Sequence, residues 1–221
     1  MWLQHPVGHV LSKKRPFSIF SYSSAQASAS TSYTFGSATL SMPRQDRKLL
    51  IGIGSLDSVQ NYSCSGITVD LDAATEVVTS PITGSFTLSA LYIKDHPSGT
   101  TGSVVVTFSE GITECMVFIW CLYNLSSSTA VATANQFQSS SANLVLSAQV
   151  GAPGLVFGVG SVNGASPTVV WSGLDPVGIL DGTALKTSVA ESTAANYIPL
   201  HTIGCDWSGT DDAAGVSASF K

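Results

Sequence analysis

Charge is scarce in this chain: of 221 residues only 10% are Asp, Glu, Lys or Arg, against about 25% in an average globular protein. Ser and Thr make up about a quarter of the sequence instead, so solubility rests on hydroxyls. No apolar run approaches the roughly 18 to 20 residues of a helical membrane span, and a formal net charge of -5 gives no overall basic excess to favour nucleic acid. There are four cysteines but no C-x-x-C, and neither H-E-x-x-H nor a G-x-S-x-G elbow occurs, which argues against structural zinc, a zinc protease or an α/β-hydrolase. The length suits one large β-domain with an arm as well as two small domains, and one domain plus an arm is the expectation.

The few charges are unevenly placed. Lys13, Lys14, Arg15 and Arg44 all precede the first acid, Asp46, whereas the remaining five cations stand among all fourteen carboxylates. The chain reads as a basic arm on an acidic body. Residues 21 to 32, SYSSAQASASTS, hold nothing large to bury and read as a flexible or extended linker, placing a boundary near Tyr33, with residues 1-32 as arm and linker and 33-221 as the folded domain. The apolar stretch after Arg15 is too short and polar for a secretory signal. A disordered terminus and an arm that orders on an oppositely charged partner both fit; Trp2, Leu3, Val7, Val10, Leu11, Phe17, Ile19 and Phe20 tilt the choice towards docking. The anchor candidates are Trp2, Lys13, Lys14, Arg15, Phe17 and Phe20.

After Tyr33 the apolar runs are short, rich in Val, Ile, Thr and aromatics, and bounded by Gly, Asn, Asp or Ser, as strands are. Alternation sets faces: Phe86, Leu88, Ala90 and Tyr92 point one way, as do Val104, Val106 and Phe108, and Val216, Ala218 and Phe220. Roughly ten to twelve strands at short spacing predict an all-β, antiparallel β-sandwich of jelly-roll type. Residues 183 to 196 are loop or strand rather than helix. Glu114 to Leu122 is apolar on both faces, so one face meets the core and the other a long loop of the same chain, the arm or a second subunit; Met116, Phe118, Trp120 and Leu122 are the candidate subunit contact. Leu50-Ile51-Gly52-Ile53-Gly54-Ser55 recurs as Val156-Phe157-Gly158-Val159-Gly160-Ser161. Equivalent strands in two similar sheets and chance recurrence both explain it, and the domain is not divided on it. The alternating glycines leave one strand face flat for a backbone or a bulky aromatic.

Chemistry-bearing groupings are few. Cys115 and Cys121 lie about 20 Å apart on one extended strand and cannot bridge; Cys64 and Cys205 are open to pairing, free buried thiols being the commoner outcome. His201 with Asp206 nearby is a weak catalytic pair, and a locally hydrogen-bonded edge histidine is preferred. Asp70, Asp72 and Glu76 offer oxygen ligands for calcium without a calcium-loop spacing, and a solvated hairpin face is the default. Asn61-Tyr62-Ser63 and Asn124-Leu125-Ser126 match the glycosylation sequon. Trp171 and Trp207 precede Ser-Gly at strand ends, where a glycan could reach them.

The order of phrases in the body carries more. Arg47-Lys48-Leu49-Leu50-Ile51-Gly52-Ile53-Gly54-Ser55, Gly66-Ile67-Thr68-Val69 leading to Ala73-Ala74-Thr75, Leu91-Tyr92-Ile93, Gly99-Thr100-Thr101-Gly102-Ser103-Val104-Val105-Val106-Thr107-Phe108, Val117-Phe118-Ile119-Trp120 and Pro153-Gly154-Leu155-Val156 together resemble small β-sandwich virion proteins of tailed bacteriophages. The resemblance implies a structural component of the particle, localised to the virion, with no catalytic residue, metal or cofactor. The expected function is a capsid decoration protein, cement or head-spike, anchored by its arm on the major capsid protein or another virion protein, and assembling as a homo-oligomer, a trimer by expectation. Neither nucleic acid nor membrane is an expected partner. The alternative is a tail-associated or host-glycan-binding module using Trp171 and Trp207; a carbohydrate-binding or adhesion module unrelated to phage is a third reading, and an enzyme the last.

Overall fold

Val, Ile, Thr and aromatic runs set the local structure, and the described residues form thirteen strands with no helix among them. The computed structural model describes residues 14-58, 61-81, 86-151, 153-164, 168-196 and 198-221, without the side chains of 199, 200 and 210. All strand pairing is antiparallel, as expected, in one seven-stranded and one six-stranded sheet.

The first sheet holds β1 (Phe17–Thr39), β2 (Lys48–Leu56), β3 (Cys64–Val69), β4 (Asp72–Ala73), β5 (Thr75–Thr79), β6 (Thr87–Asp95) and β7 (Thr101–Tyr123). Its spine is β7. Along one side β1 pairs from Phe17↔Tyr123 to Thr39↔Thr101; along the other, β3 takes the first half of β7 and β2 the second. Beyond β2 come β6 and then β5, and β4 pairs with β3. Register shifts between Ala27 and Ser32 mark a bend in β1. The halves of β1 and β7 therefore lie in two layers, and between them Tyr33, Phe35, Val106 and Phe108 pack with Ile51, Ile53, Val117 and Ile119.

The second sheet follows the same plan with β8 (Ala132–Val150), β9 (Gly154–Asn163), β10 (Val169–Ser172), β11 (Asp175–Asp181), β12 (Leu185–Ala194) and β13 (Ile198–Phe220). Here β13 is the spine, flanked by β8 on one side and by β10 and β9 on the other, with β12 and β11 following β9. Strand for strand, β1, β2, β3, β5, β6 and β7 correspond to β8, β9, β10, β11, β12 and β13. The recurring phrase thus lies on corresponding strands, β2 and β9. Its glycines do not share a face. A Cβ on Gly52 would meet Val159 and Trp120, whereas one on Gly158 would meet Trp171 and Leu174 inside the second sheet. In both, a tryptophan ring occupies the flat strand face that glycine leaves.

Each sheet curls around a core of its own, barrel-like in outline, and the two are joined by a third core between them. That middle core sets Leu50, Met116, Phe118, Trp120 and Leu122 against Leu155, Phe157, Val159, Val216 and Phe220. Trp120 meets Phe157 edge-on at 5.3 Å, and Phe157 meets Phe220 at 6.1 Å. Burying each such side chain contributes about 1.5–3 kcal/mol, so the seam is a major source of stability. A polar insert crosses it: Ser89 Oγ donates to Ser161 Oγ at 2.8 Å and lies 2.9 Å from the Ala214 carbonyl, while Ser161 Oγ and Thr187 Oγ1 are 3.1 Å apart.

Two expectations change. Residues 21-32 are not a linker; with residues 17-20 they are the first part of β1, paired to β7, so the boundary near Tyr33 falls inside a strand. The Ser and Ala side chains are small enough to let the strand turn between layers, and the Tyr33 hydroxyl fixes the bend from between the Ser28 and Ile112 carbonyls, 2.5 Å from each. Met116, Phe118, Trp120 and Leu122 are fully buried within one chain; what covers the apolar face of β7 is the second sheet, not another subunit. Residues 183 to 196, expected as loop or strand, are strand for the most part, in β12.

Candidate functional site

The charge asymmetry of the sequence becomes a feature of one end of the molecule. Lys14 and Arg15 are exposed and lead directly into β1. At the same end of the ladder β7 stops at Tyr123 and is followed by Asn124, whose φ of 57° suits the left-handed conformation that Asn tolerates. Asn124 then serves three groups: its Nδ2 donates to the Arg15 carbonyl at 2.9 Å, its Oδ1 accepts from Arg44 Nη2 at 3.0 Å, and its backbone N–H donates to Asp46 Oδ2 at 2.9 Å. Arg44 Nε and Nη2 both donate to the Asp46 carboxylate at 3.0 Å. Partial burial pushes the Asp46 carboxyl up, but the Asn124 N–H and the Arg44 guanidinium outweigh it and hold it below its ordinary value. The Arg44 guanidinium also lies 5.8 Å from the Phe17 ring centre and 5.0 Å from that of Tyr123, and those rings stack at 4.8 Å. The point where the basic segment joins the fold is therefore clamped.

Beside the clamp is a cleft of about 400 Å³ lined by Lys14, Pro16, Asn124, Leu125, Pro153 and Lys221. Lys221 is held there because its main-chain oxygen accepts from Ser126 N at 2.8 Å and from Ser126 Oγ at 2.6 Å. The other described lysines are paired: Lys48 with Asp95, Lys94 with Asp72 and Lys186 with Asp181. Arg47 is buried and donates to the carbonyls of Ser41, His96, Ser98 and Gly99. Among the described residues, Lys14, Arg15 and Lys221 make no ion pair, and they share one end.

A second cleft, of about 590 Å³, lies at the opposite end of the seam beside Leu56, Asp57, Phe86, Thr113 and Glu114. Its two carboxylates are buried. Glu114 is committed to structure, accepting from the backbone N–H groups of Thr183, Ala184 and Leu185 at 2.8, 3.2 and 3.0 Å.

Of the anchor candidates, Trp2 and Lys13 lie outside the described residues. Lys14 and Arg15 are exposed, Phe17 is in the ring stack, and Phe20 packs edge-on against Trp120 at 5.7 Å and over Gly178 of β11. Trp171 and Trp207 form no surface platform: they are buried in the core of the second sheet, where Trp171 Nε1 donates to Ser188 Oγ at 2.9 Å. His201 Nε2 lies 2.6 Å from the Gly173 carbonyl, as an edge histidine would. Asp70 is not on a strand face but in the β3–β4 turn with Leu71, at φ 49° and 74°, and its Oδ1 accepts from Ser103 N at 2.7 Å. Among the described residues no group of three or more His, Cys, Asp and Glu could hold a metal ion. All four cysteines are free; Cys64 borders the first core and Cys205 lies in that of the second sheet. Burial pushes both thiols above their ordinary value.

No protein-family model matches the chain, and no curated protein sequence is similar to it. Sequence reasoning missed Asn124 and Lys221 as parts of the basic end, and it counted Arg44 only as charge. The clustered cations of residues 13 to 44 were the available signal; the arrival of residues 124 and 221 at the same place depends on pairing across the whole chain.

Proposed function

We propose that the chain is a bacteriophage virion structural protein, a capsid decoration protein held on the particle by its basic N-terminal end. The observation that carries this reading is the exposed pair Lys14 and Arg15 leaving a clamped, rigid end of an otherwise acidic body. A clamped exit transmits the position of a docked segment to the whole fold, and opposite charge on a shell would orient it. The resemblance supports the same role: its phrases fall on β2, β3, β6 and β7 of the first sheet and on β9 of the second, and it implies no catalytic residue. The anchor is residues 1-16 rather than 1-32, since Phe17 opens a strand. The partner is the major capsid protein or another virion protein. Trimer formation loses its original support, because the apolar strand face is satisfied inside the chain.

Mass spectrometry of particles purified from the native lysate tests the role. The protein is expected in head fractions, and a chain lacking residues 1-15 is expected to leave the particles while melting as the full chain does. Recovery only in tail fractions would favour the tail-associated alternative. Absence from particles would overturn the virion role.

A further inference from the structure

We infer that the basic end is a docking site for an acidic segment of a partner protein, one apolar side chain of which enters the cleft between Pro16, Leu125 and Pro153. The inference rests on the structural-protein reading only in taking the partner to be a protein.

Charge supplies the first argument. Lys14, Arg15 and Lys221 are exposed and make no ion pair among the described residues, and the Asp46 carboxylate at this end is already engaged by Arg44. The carboxylates elsewhere repel an acidic segment from the remaining surface. Over a Debye length of about 8 Å such a contrast steers and orients an approaching chain.

Shape supplies the second. At about 400 Å³ the cleft is near the lower limit of small-molecule sites, a size that suits one or two side chains. Its walls are two prolines, Leu125 and the lysine stems; the Lys221 stem lies where a Cβ on Gly151 would meet it at 3.1–3.7 Å. Such stems coat an apolar wall while their ammonium groups face water. Pro16 is fixed by the start of β1 and the Lys221 backbone by Ser126, so the site needs little ordering before binding. Nucleic acid is the weaker fit, because none of the lining residues is aromatic and stacking on aromatic rings is how unpaired bases are commonly held.

Fluorescence anisotropy with the full chain tests it. The probe is a labelled twelve-residue peptide of Asp and Glu with one central Phe; companions are the same peptide with Phe replaced by Gly and a twelve-nucleotide oligo(dT). The Phe peptide is expected to bind saturably and to weaken as salt is raised. The Gly peptide and the variant Lys14→Glu/Arg15→Glu/Lys221→Glu are each expected to cost about tenfold in affinity. These positions are exposed, so the variant should melt as the parent does; if it does not, Lys14→Glu alone gives the same reading with a smaller loss. No saturable binding, equal binding of the Phe and Gly peptides, or tighter binding of oligo(dT) would overturn the inference. Presence in particles without peptide binding would sink the inference alone; peptide binding by a protein absent from particles would sink the virion role alone.

Discussion

Glu114 shows how much one side chain can hold. It stands on β7 in the first sheet, 3% exposed, and its carboxylate collects three backbone N–H groups from the link between β11 and β12 in the second. A Cβ on Gly182 would lie 1.8 Å from Glu114 Oε1, so glycine is the residue that leaves the carboxylate room. Glu114→Ala strands three donors and should lower the unfolding free energy by about 3 kcal/mol or more, since each unsatisfied buried group costs about 1–3 kcal/mol. Glu114→Gln keeps an acceptor and should cost less. Urea unfolding followed by tryptophan fluorescence measures both; an unchanged midpoint for the Ala variant would refute the clamp. In the sequence this Glu is one of fourteen acids, and nothing local distinguishes it. Its partners lie about 70 residues away in the chain, beyond anything that spacing on one element encodes.

At the scale of elements, the informative strands are β1 and β8, long edges that carry no charged residue and no proline. Exposed edges of that kind invite pairing with other chains, and here side chains guard them instead. Gln26 Nε2 donates to the Thr34 carbonyl at 2.7 Å, and on the corresponding strand Gln136 Oε1 accepts from Val145 N at 2.7 Å; both glutamines reach across a bend. Alternation made β6, the first half of β7 and the end of β13 legible: in β7 one-sided burial imposes a period of two, whereas β6 and the end of β13 are buried on both faces and alternate because hydroxyls such as Thr87 and Ser89, or Ser217 and Ser219, stand between the apolar residues. The first half of β1 had no such signature: Ser and Ala alternate with Ser and Ala, and the strand exists because β7 needs a neighbour. Deleting residues 14-32 should therefore strip half of β7 of its partner and leave an insoluble chain, whereas deleting residues 1-13 should leave the melting temperature unchanged. Circular-dichroism melts and a solubility assay separate the two. A soluble, cooperatively melting product of the longer deletion would show that β1 is dispensable.

At the scale of the molecule, two sheets of one plan share a middle core. Their contacts are reciprocal at the margins: Phe20 of β1 lies over Gly178 of β11, while Asn135 Nδ2 of β8 donates to the Thr79 carbonyl of β5 at 2.7 Å. The all-β class was legible in composition and periodicity. The shared plan of the two sheets shows in the sequence only as the recurring Gly-x-Gly phrase, and even that is out of step by face, because the glycines serve whichever tryptophan lies nearby. The two-sided apolar strand rightly announced a second covering, but the sequence does not say whether a partner is another chain or a later stretch of the same one. Cutting the exposed Ser126–Ser127 link tests the plan. Residues 1-126 and 127-221 produced separately should each expose the seam and aggregate, and produced together they should co-purify in equal amounts. Halves that stay soluble and monomeric apart, with no association, would refute the shared core. The clamp and cleft at the basic end have a mechanical consequence as well. Lys14 and Lys221 lie at the same cleft, so tension between them opens the β1–β7 and β8–β13 ladders like zippers, one hydrogen bond after another. Tension between that end and the far bend near Ser109 loads the bonds of the β1–β7 ladder in shear, together, and this is the direction in which the fold should be hardest to tear.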